Sequence, residues 1–358
     1  MKKILWIAGI LILGFIILHV FPKDKFKNLN LDGSIRHENG SNLVSSNILS
    51  DPTILAPDIS LSKLECKFPL RWQYVNDTTE LGSQSFNMWF SAFSNKQIAI
   101  SSAQSNDGVT WSNVKEGVVK PGSGWDAIGV ETASVIKDSQ RKYRMYYSSS
   151  FKDHDDFAIG VAFSDDGISW KKNEKPIFMP ENTWEQGSNN GVMEPSVIYD
   201  SNEKIYKMWY SGLGEKDGKP AFRIGYATSL DGISWERLKE PIMDIGRDGE
   251  WDDTLVSHVN VAKSQNGYHM FYFGVAEWSD EVTLQKGAIG HAFSSDGIKW
   301  QKNPNNPIIK PREDYWDAWT VGGPSAIILN NKIWLWYFGN PQKDTFEGRL
   351  GLVKGICE

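Results

Sequence analysis

A seven-residue pattern recurs four times along this chain at nearly constant spacing. Ser105 to Trp111 reads SNDGVTW, and SDDGISW, SLDGISW and SSDGIKW follow at Ser164 to Trp170, Ser229 to Trp235 and Ser294 to Trp300. The closing tryptophans stand at 111, 170, 235 and 300, so they are 59, 65 and 65 residues apart. A period of this size belongs to repeat architectures, in which each unit is one supersecondary element. Asp-Gly between alternating apolar runs signals a hairpin, because the tight turn needs residues that tolerate positive φ.

The unit extends on both sides of the hairpin. An aromatic run precedes it in five versions: Met88-Trp89-Phe90, Met145-Tyr146-Tyr147, Met208-Trp209-Tyr210, Met270-Phe271-Tyr272 and Leu335-Trp336-Tyr337. Such runs favour strands. A further short strand precedes the last four, as in Ser196-Val197-Ile198. Each unit therefore reads as strands A, B and C, an Asp-Gly turn, and strand D. Five such antiparallel units predict an all-β five-bladed β-propeller. A solenoid of stacked hairpins is the rival. The last unit lacks its Asp-Gly-Trp hairpin, as ring closure by an N-terminal strand requires.

The ends of the chain carry separate signals. Met1-Lys2-Lys3 precedes Ile4 to Phe21, an 18-residue stretch that is apolar apart from His19. That is the short end for a membrane span, and the flanking lysines place the N-terminus inside. A cleavable signal peptide is the alternative, but no small-x-small site follows. The expected organisation is a signal-anchor helix over residues 1–22, a polar flexible linker over 23–62 and the propeller over 63–358. This would be a single-pass membrane protein with its propeller on the periplasmic or extracellular side. The two cysteines, Cys66 and Cys357, flank the propeller, and ring closure would bring them near each other. They are either a bridge formed in an oxidising compartment or two free thiols. A net charge of −6 argues against a nucleic-acid surface.

In a four-stranded meander the starts of the A strands converge near the axis on one face. Those positions read Glu131, Glu194, His258 and Gly322-Gly323, with Leu70-Arg71-Trp72 taken as the first unit's version. Two carboxyls at one repeat position suit general acid/base cleavage of a glycosidic bond, with one kept protonated. They equally suit solvation of a water-filled channel. His258 and Arg71 are candidate substrate ligands, and Trp278 and Trp319 are candidate platforms for a sugar ring. No metal or cofactor is expected, since no second His or Cys joins His258. The Trp-acid pairs at 125–126, 184–185, 251–252 and 316–317 recur at every junction, so they read as packing between blades with the acid capping a turn.

The repeat Glu-Pro-Ser-Val-Ile, Met-Trp-Tyr-Ser-Gly, Ile-Gly-x-Ala and Ser-x-Asp-Gly-x-x-Trp resembles the five-bladed propeller glycosidases. These are glycoside hydrolase families 43, 32 and 68, with the related mannoside phosphorylases of family 130. The resemblance covers about residues 66 to 358. It implies an oligo- or polysaccharide partner, with Glu194 as the acid and Glu131 at the second-blade position. Family 43 places an Asp on blade one as base. Here no Asp stands in register on the strand assigned to that blade, the nearest acids being Glu65 and Asp77. Hydrolysis, phosphorolysis or transfer, and glycan binding without catalysis all remain open at this stage.

Overall fold

The computed structural model describes residues 50–56, 63–75, 79–81, 85–94, 97–138, 140, 142–151, 156–187, 190–277, 284–343 and 348–357. The proposed anchor, residues 1–22, lies outside them. Among the described residues no helix is long and apolar enough to cross a membrane.

The chain is nearly all β, in a propeller-like arrangement of antiparallel meanders. The first unit joins β1 (Ser50–Leu55), β3 (Phe86–Ser94), β4 (Gln97–Ser105) and β5 (Trp111–Val119), while β2 (Arg71–Tyr74) goes elsewhere. The second holds β6 (Glu131–Lys137), β7 (Tyr143–Ser150), β8 (Phe157–Ser164) and β9 (Lys171–Lys172). The third holds β10 (Gly191–Asp200), β11 (Ile205–Lys216), β12 (Lys219–Ser229) and β13 (Glu236–Arg237). The fourth holds β14 (Leu255–Ser264), β15 (Gly267–Val275), β16 (Ala288–Ser294) and β17 (Gln301–Lys302). The last is β18 (Thr320–Leu329), β19 (Lys332–Asn340) and β20 (Arg349–Ile356), completed by β2.

Two expectations change here. Residues 50–55, inside the stretch read as a linker, form the inner strand β1, which pairs with β3 (Ile54 with Met88). The Leu70-Arg71-Trp72 stretch is not the first unit's inner strand. Its β2 is the outermost strand of the last unit, with Arg71 opposite Ile356. Cys66, just before β2, is disulfide-bonded to Cys357, just after β20, with Cα atoms 5.4 Å apart.

The recurrent residues have recurrent duties. In each Asp-Gly turn the aspartate carboxylate accepts the N–H groups two and three residues on. Asp166 does so from Ile168 at 2.8 Å and Ser169 at 2.7 Å. The turn glycines have φ between 73° and 79°, where an L side chain is strained. Their carbonyls then serve the neighbouring unit. The Trp89 indole donates to Gly167 (2.9 Å), the Tyr146 hydroxyl to Gly232 (3.1 Å) and the Trp209 indole to Gly297 (2.8 Å). Trp336 of the last unit donates to Gly108 of the first at 2.7 Å, which closes the circle. At the remaining junction the residue is Phe271, which cannot donate and packs edge-on against Trp72 of β2.

The Trp-acid pairs act within a unit, not between units. Trp184 stacks on Tyr210 at an interplanar angle of 19°, and Glu185 accepts from the Tyr210 hydroxyl (2.6 Å) and from Arg237 of the outer strand (2.7 Å). Asp126, Asp252 and Asp317 repeat this with Tyr147, Tyr272 and Tyr337 and with Lys172, Lys302 and Arg312. The Ile-Gly-x-Ala glycines make room for the tyrosine rings. A Cβ on Gly225 would lie 2.2 Å from Tyr210.

The Cys66–Cys357 bridge encloses nearly the whole ring, at a sequence separation of 291. Replacing both cysteines with serine should lower stability to chemical denaturation by about 2–5 kcal/mol, through the loop entropy restored to the unfolded chain. Denaturation midpoints of the oxidised wild type and the double variant measure this, and identical midpoints would show that the bridge constrains nothing.

Candidate active site

Each inner strand carries a bulge near its start, and each bulge places one residue in the left-handed region. These residues are Asp51 (φ 48°), Thr132 (51°), Glu194 (53°), His258 (46°) and Gly323 (53°). The register shifts fall at matching places, as between Met193 and Ser196 and between Ser257 and Asn260. Positive φ on a β-branched or charged residue is strained by about 1–3 kcal/mol and persists only where the surroundings enforce it. Those surroundings are on hand. The Thr132 N–H donates to Ser91 Oγ at 3.0 Å, and the Glu194 N–H to Ser148 Oγ at 2.8 Å. Three residues past each left-handed residue, the inner strands are tied side to side. Ile54, Val197, Val261 and Ala326 donate their N–H groups to Ser325, Ser134, Ser196 and Asn260, each at 2.9 Å. Thr53 completes the circle by donating to the Ala133 carbonyl.

The bulges re-aim side chains toward the axis. Asp51, Thr132, Glu194, His258 and Gly323 all line one axial cavity. His258 bridges two acids there. Its Nε2 lies 3.1 Å from Asp51 Oδ1, and its Nδ1 lies 3.0 Å from Glu194 Oε1. Its backbone N–H also donates to Glu194 Oε2 at 2.6 Å, so one residue holds both carboxylate oxygens. The Ser257 hydroxyl lies 3.1 Å from Nδ1, and the edge of Phe273 packs on the ring at a centroid distance of 5.8 Å. All three titratable groups are buried. Burial alone would depress the His258 imidazolium, but Glu194 and Asp51 outweigh it and push the group up to about 9. Burial raises the Glu194 carboxyl, with the His258 charge and the Ser211 hydroxyl acting against it.

Glu131 stands one residue before the bulge, in register with Met193, Ser257 and Gly322 rather than with Glu194. It does not line the cavity, and it is fully buried with neither carboxyl oxygen hydrogen-bonded. Burial, with the nearby charges of Asp51 and Glu194, holds it well above the usual carboxylate range. The repeat position it was assigned belongs to Thr132. Glu194 and His258 are brought together as expected. Arg71 is not, being exposed on the outermost strand β2. Trp319 precedes β18, and its indole donates to the Leu284 carbonyl at 2.7 Å. Trp278 lies outside the described residues.

Asp51 is the acid that sequence reading missed, because the first unit's inner strand was sought beyond residue 62. A signal was present. Asp51-Pro52-Thr53-Ile54 parallels Glu194-Pro195-Ser196-Val197 and Gly323-Pro324-Ser325-Ala326. Among the described residues no group of three or more metal-ligating side chains is arranged to hold a metal.

Comparison with known proteins places this geometry. The sequence profile of the β-1,4-mannooligosaccharide phosphorylase family, glycoside hydrolase family 130, matches residues 139–345, more than half of the chain. A 1,2-β-oligomannan phosphorylase from Thermoanaerobacter sp. (strain X514) is 26% identical over 186 residues, 47% of this chain and 59% of that protein. A β-1,2-mannobiose phosphorylase from the same source is 32% identical over 124 residues, 30% of this chain and 38% of that protein. The chain thus spans about half the length of the curated relatives it matches. Among solved structures, one titled as a glycoside hydrolase aligns with a TM-score of 0.63 at 15% identity, over 94% of this chain and 96% of its own. A thermostable family-43 glycoside hydrolase aligns at 0.61 and 18%, over 85% and 88%. These likenesses establish a propeller-like glycosidase fold.

The burial of Glu131 has a pH consequence. Its folded-state carboxyl binds a proton more tightly than the ordinary value of 4.5, so folding takes up protons. Its contribution to stability therefore falls as pH rises above about 4.5. Glu131→Gln removes that decline. The variant should gain stability relative to wild type between pH 5 and pH 8, measured by urea midpoints at both values. An unchanged difference would show that the carboxyl is solvated.

Proposed function

Because the chain belongs to glycoside hydrolase family 130, the β-1,4-mannooligosaccharide phosphorylase family, we propose that it is an enzyme that cleaves a glycosidic bond in a mannose-containing oligosaccharide. The observation that carries this reading is the pair of cavity carboxyls, Asp51 and Glu194, held on opposite nitrogens of one imidazole. Hydrolysis by single displacement needs two such groups. One protonates the leaving oxygen while the other takes a proton from the attacking water. Glu194 has the role of acid and Asp51 that of base. The axial cavity where inner strands converge supplies the binding cleft, with a rim of loops for substrate contact.

Phosphorolysis is the second reading. It is favoured by the family and by the two mannoside phosphorylases among the relatives. Phosphate would then be the nucleophile, and only Glu194 would be required. The test incubates β-1,2- and β-1,4-linked mannooligosaccharides with and without inorganic phosphate. Free sugars released without phosphate support hydrolysis, with both Glu194→Gln and Asp51→Asn lowering kcat by about 10² or more. Mannose 1-phosphate as the product, with Asp51→Asn unimpaired, moves the assignment to phosphorolysis. A wild type that cleaves none of them sinks both and leaves glycan binding.

The same proposal takes the five four-stranded units as the blades of a five-bladed propeller. It takes residues 1–22 as a membrane anchor, residues 23 to about 49 as its tether, and the non-cytoplasmic side as the propeller's place. The lysines before the apolar stretch and the Cys66–Cys357 bridge support that placement. Protease added to spheroplasts should digest the propeller; full protection would reverse the orientation.

A further inference from the structure

We infer that His258 is a positioning residue that holds Glu194 and Asp51 in one clasp and stores the proton that Glu194 delivers to the leaving oxygen. The inference rests on the single-displacement reading above. Glu194 presents a difficulty as an acid. Both of its oxygens face donors of His258, Oε1 the ring Nδ1 at 3.0 Å and Oε2 the backbone N–H at 2.6 Å. Contact with His258 draws the carboxyl toward its charged form, against the burial that raises it. A proton shared with the neighbouring ring meets both demands, and Nδ1 is the atom nearest Oε1.

Charges and atoms balance on this account. The resting cluster is Asp51 carboxylate, His258 imidazolium and Glu194 carboxylate. As the glycosidic C–O bond breaks, the Nδ1 proton passes to Glu194 Oε1 and on to the leaving oxygen. Water forms the new C–O bond and gives its proton to Asp51. The cluster ends as Asp51 acid, neutral His258 with its remaining proton on Nε2, and Glu194 carboxylate, with its total charge unchanged. Solvent exchange after product release restores the first state. A buried site favours a path in which charge moves but does not accumulate, since an added buried charge is costly.

The surroundings fit a dedicated role. Across the ring from Glu194, Asp51 Oδ1 lies 3.1 Å from Nε2, an ion-pair contact on the imidazole's other side. Phe273 packs edge-on to the ring, and a Cβ on Gly287 would lie 2.0 Å from Phe273, so the glycine keeps the space that aromatic fills. The groups acting on His258 from the neighbouring strands are Asp51 on β1 and Glu194 on β10, with the Ser257 hydroxyl beside it on β14. Burial, and then the charges of Asp51 and Glu194, raise Glu131, the buried carboxyl on β6. A histidine that stays charged up to about pH 9 serves as a store throughout the neutral range.

The experiment pairs a spectroscopic arm with a kinetic arm. Imidazole nitrogen NMR on the full chain should show His258 doubly protonated at pH 7, with a midpoint near 9. Asp51→Asn and Glu194→Gln should each lower that midpoint. A His258 midpoint near the ordinary ~6.5, or one that neither variant moves, overturns the clasp whatever the activity. In the kinetic arm, wild-type kcat should fall with an alkaline limb that matches the NMR midpoint. His258→Asn is the chosen variant because Asn tolerates the left-handed backbone at this position. It should lower kcat about 10²-fold with KM little changed, and that limb should disappear. An active wild type whose His258→Asn variant keeps its kcat and its alkaline limb overturns the proton store while leaving the hydrolase reading intact. A wild type that cleaves nothing removes the hydrolase reading, and the NMR arm alone then judges the clasp.

Discussion

Four of the five junctions of this ring depend on a turn carbonyl offered to the neighbouring unit. Between units the backbone pairings are short, as at the single parallel pairs Phe157–Gly191 and Phe222–Leu255, so side chains carry much of the joining. Here the Asp-Gly turn presents the glycine carbonyl, and an indole or phenol from the preceding unit's central strand donates to it. The aspartate absorbs the turn's own N–H groups, and at Gly167 and Gly297 the carbonyl also accepts from the hairpin's own Trp170 (3.0 Å) and Trp300 (3.1 Å). A buried bond of this kind is worth about 0.5–1.5 kcal/mol net, but an orphaned indole N–H in the same place would cost more. The repeat is therefore a joint as well as a turn.

The junction that lacks this joint is secured differently. Phe271 stands where the other units place Trp or Tyr, and β2 is the strand it meets. Around it His269 and His291 stack at an interplanar angle of 2°, and their nearest nitrogens are 3.1 Å apart. Burial pushes His269 down to about 4 and His291 well below the usual imidazole range, so both are neutral at physiological pH. The disulfide lies at the end of this same strap. Covalent closure thus falls where the chain's two ends meet and where the repeat's hydrogen bond is missing.

The site is built from the same inner strands that form the ring. A bulge at the start of each strand forces one residue into the left-handed region and turns its side chain toward the axis. Five equivalent positions give five different chemistries: Asp51, Thr132, Glu194, His258 and Gly323. The chemical variety of the cavity comes from variation on a constrained backbone. The serines that brace Thr132 and Glu194 belong to the three-unit set Ser91, Ser148 and Ser211, while Phe273 and Phe338 take that position in the last two units. The cluster consequently has a polar side and an aromatic side.

By itself the sequence determined the repeat, the hairpins, the order of strands within a unit and the closing role of an N-terminal strand, because turn chemistry and alternation are local properties. It also put Glu194 and His258 at the starts of inner strands, whose repeat flanks are clear. Three things were decided only in three dimensions. The first inner strand lies at residues 50–55, distant in sequence from its partner β3, and its composition matches a polar tether. The bulge sets which residue faces the axis, so a one-position slip separates Glu131, which is buried and unpaired, from Thr132, which lines the cavity. Finally, Arg71 fell on the outermost strand, because β2 is recruited to close the last unit rather than to begin the first. In each case the deciding contact joins residues far apart in the chain, and no local pattern encodes which partner a strand will meet.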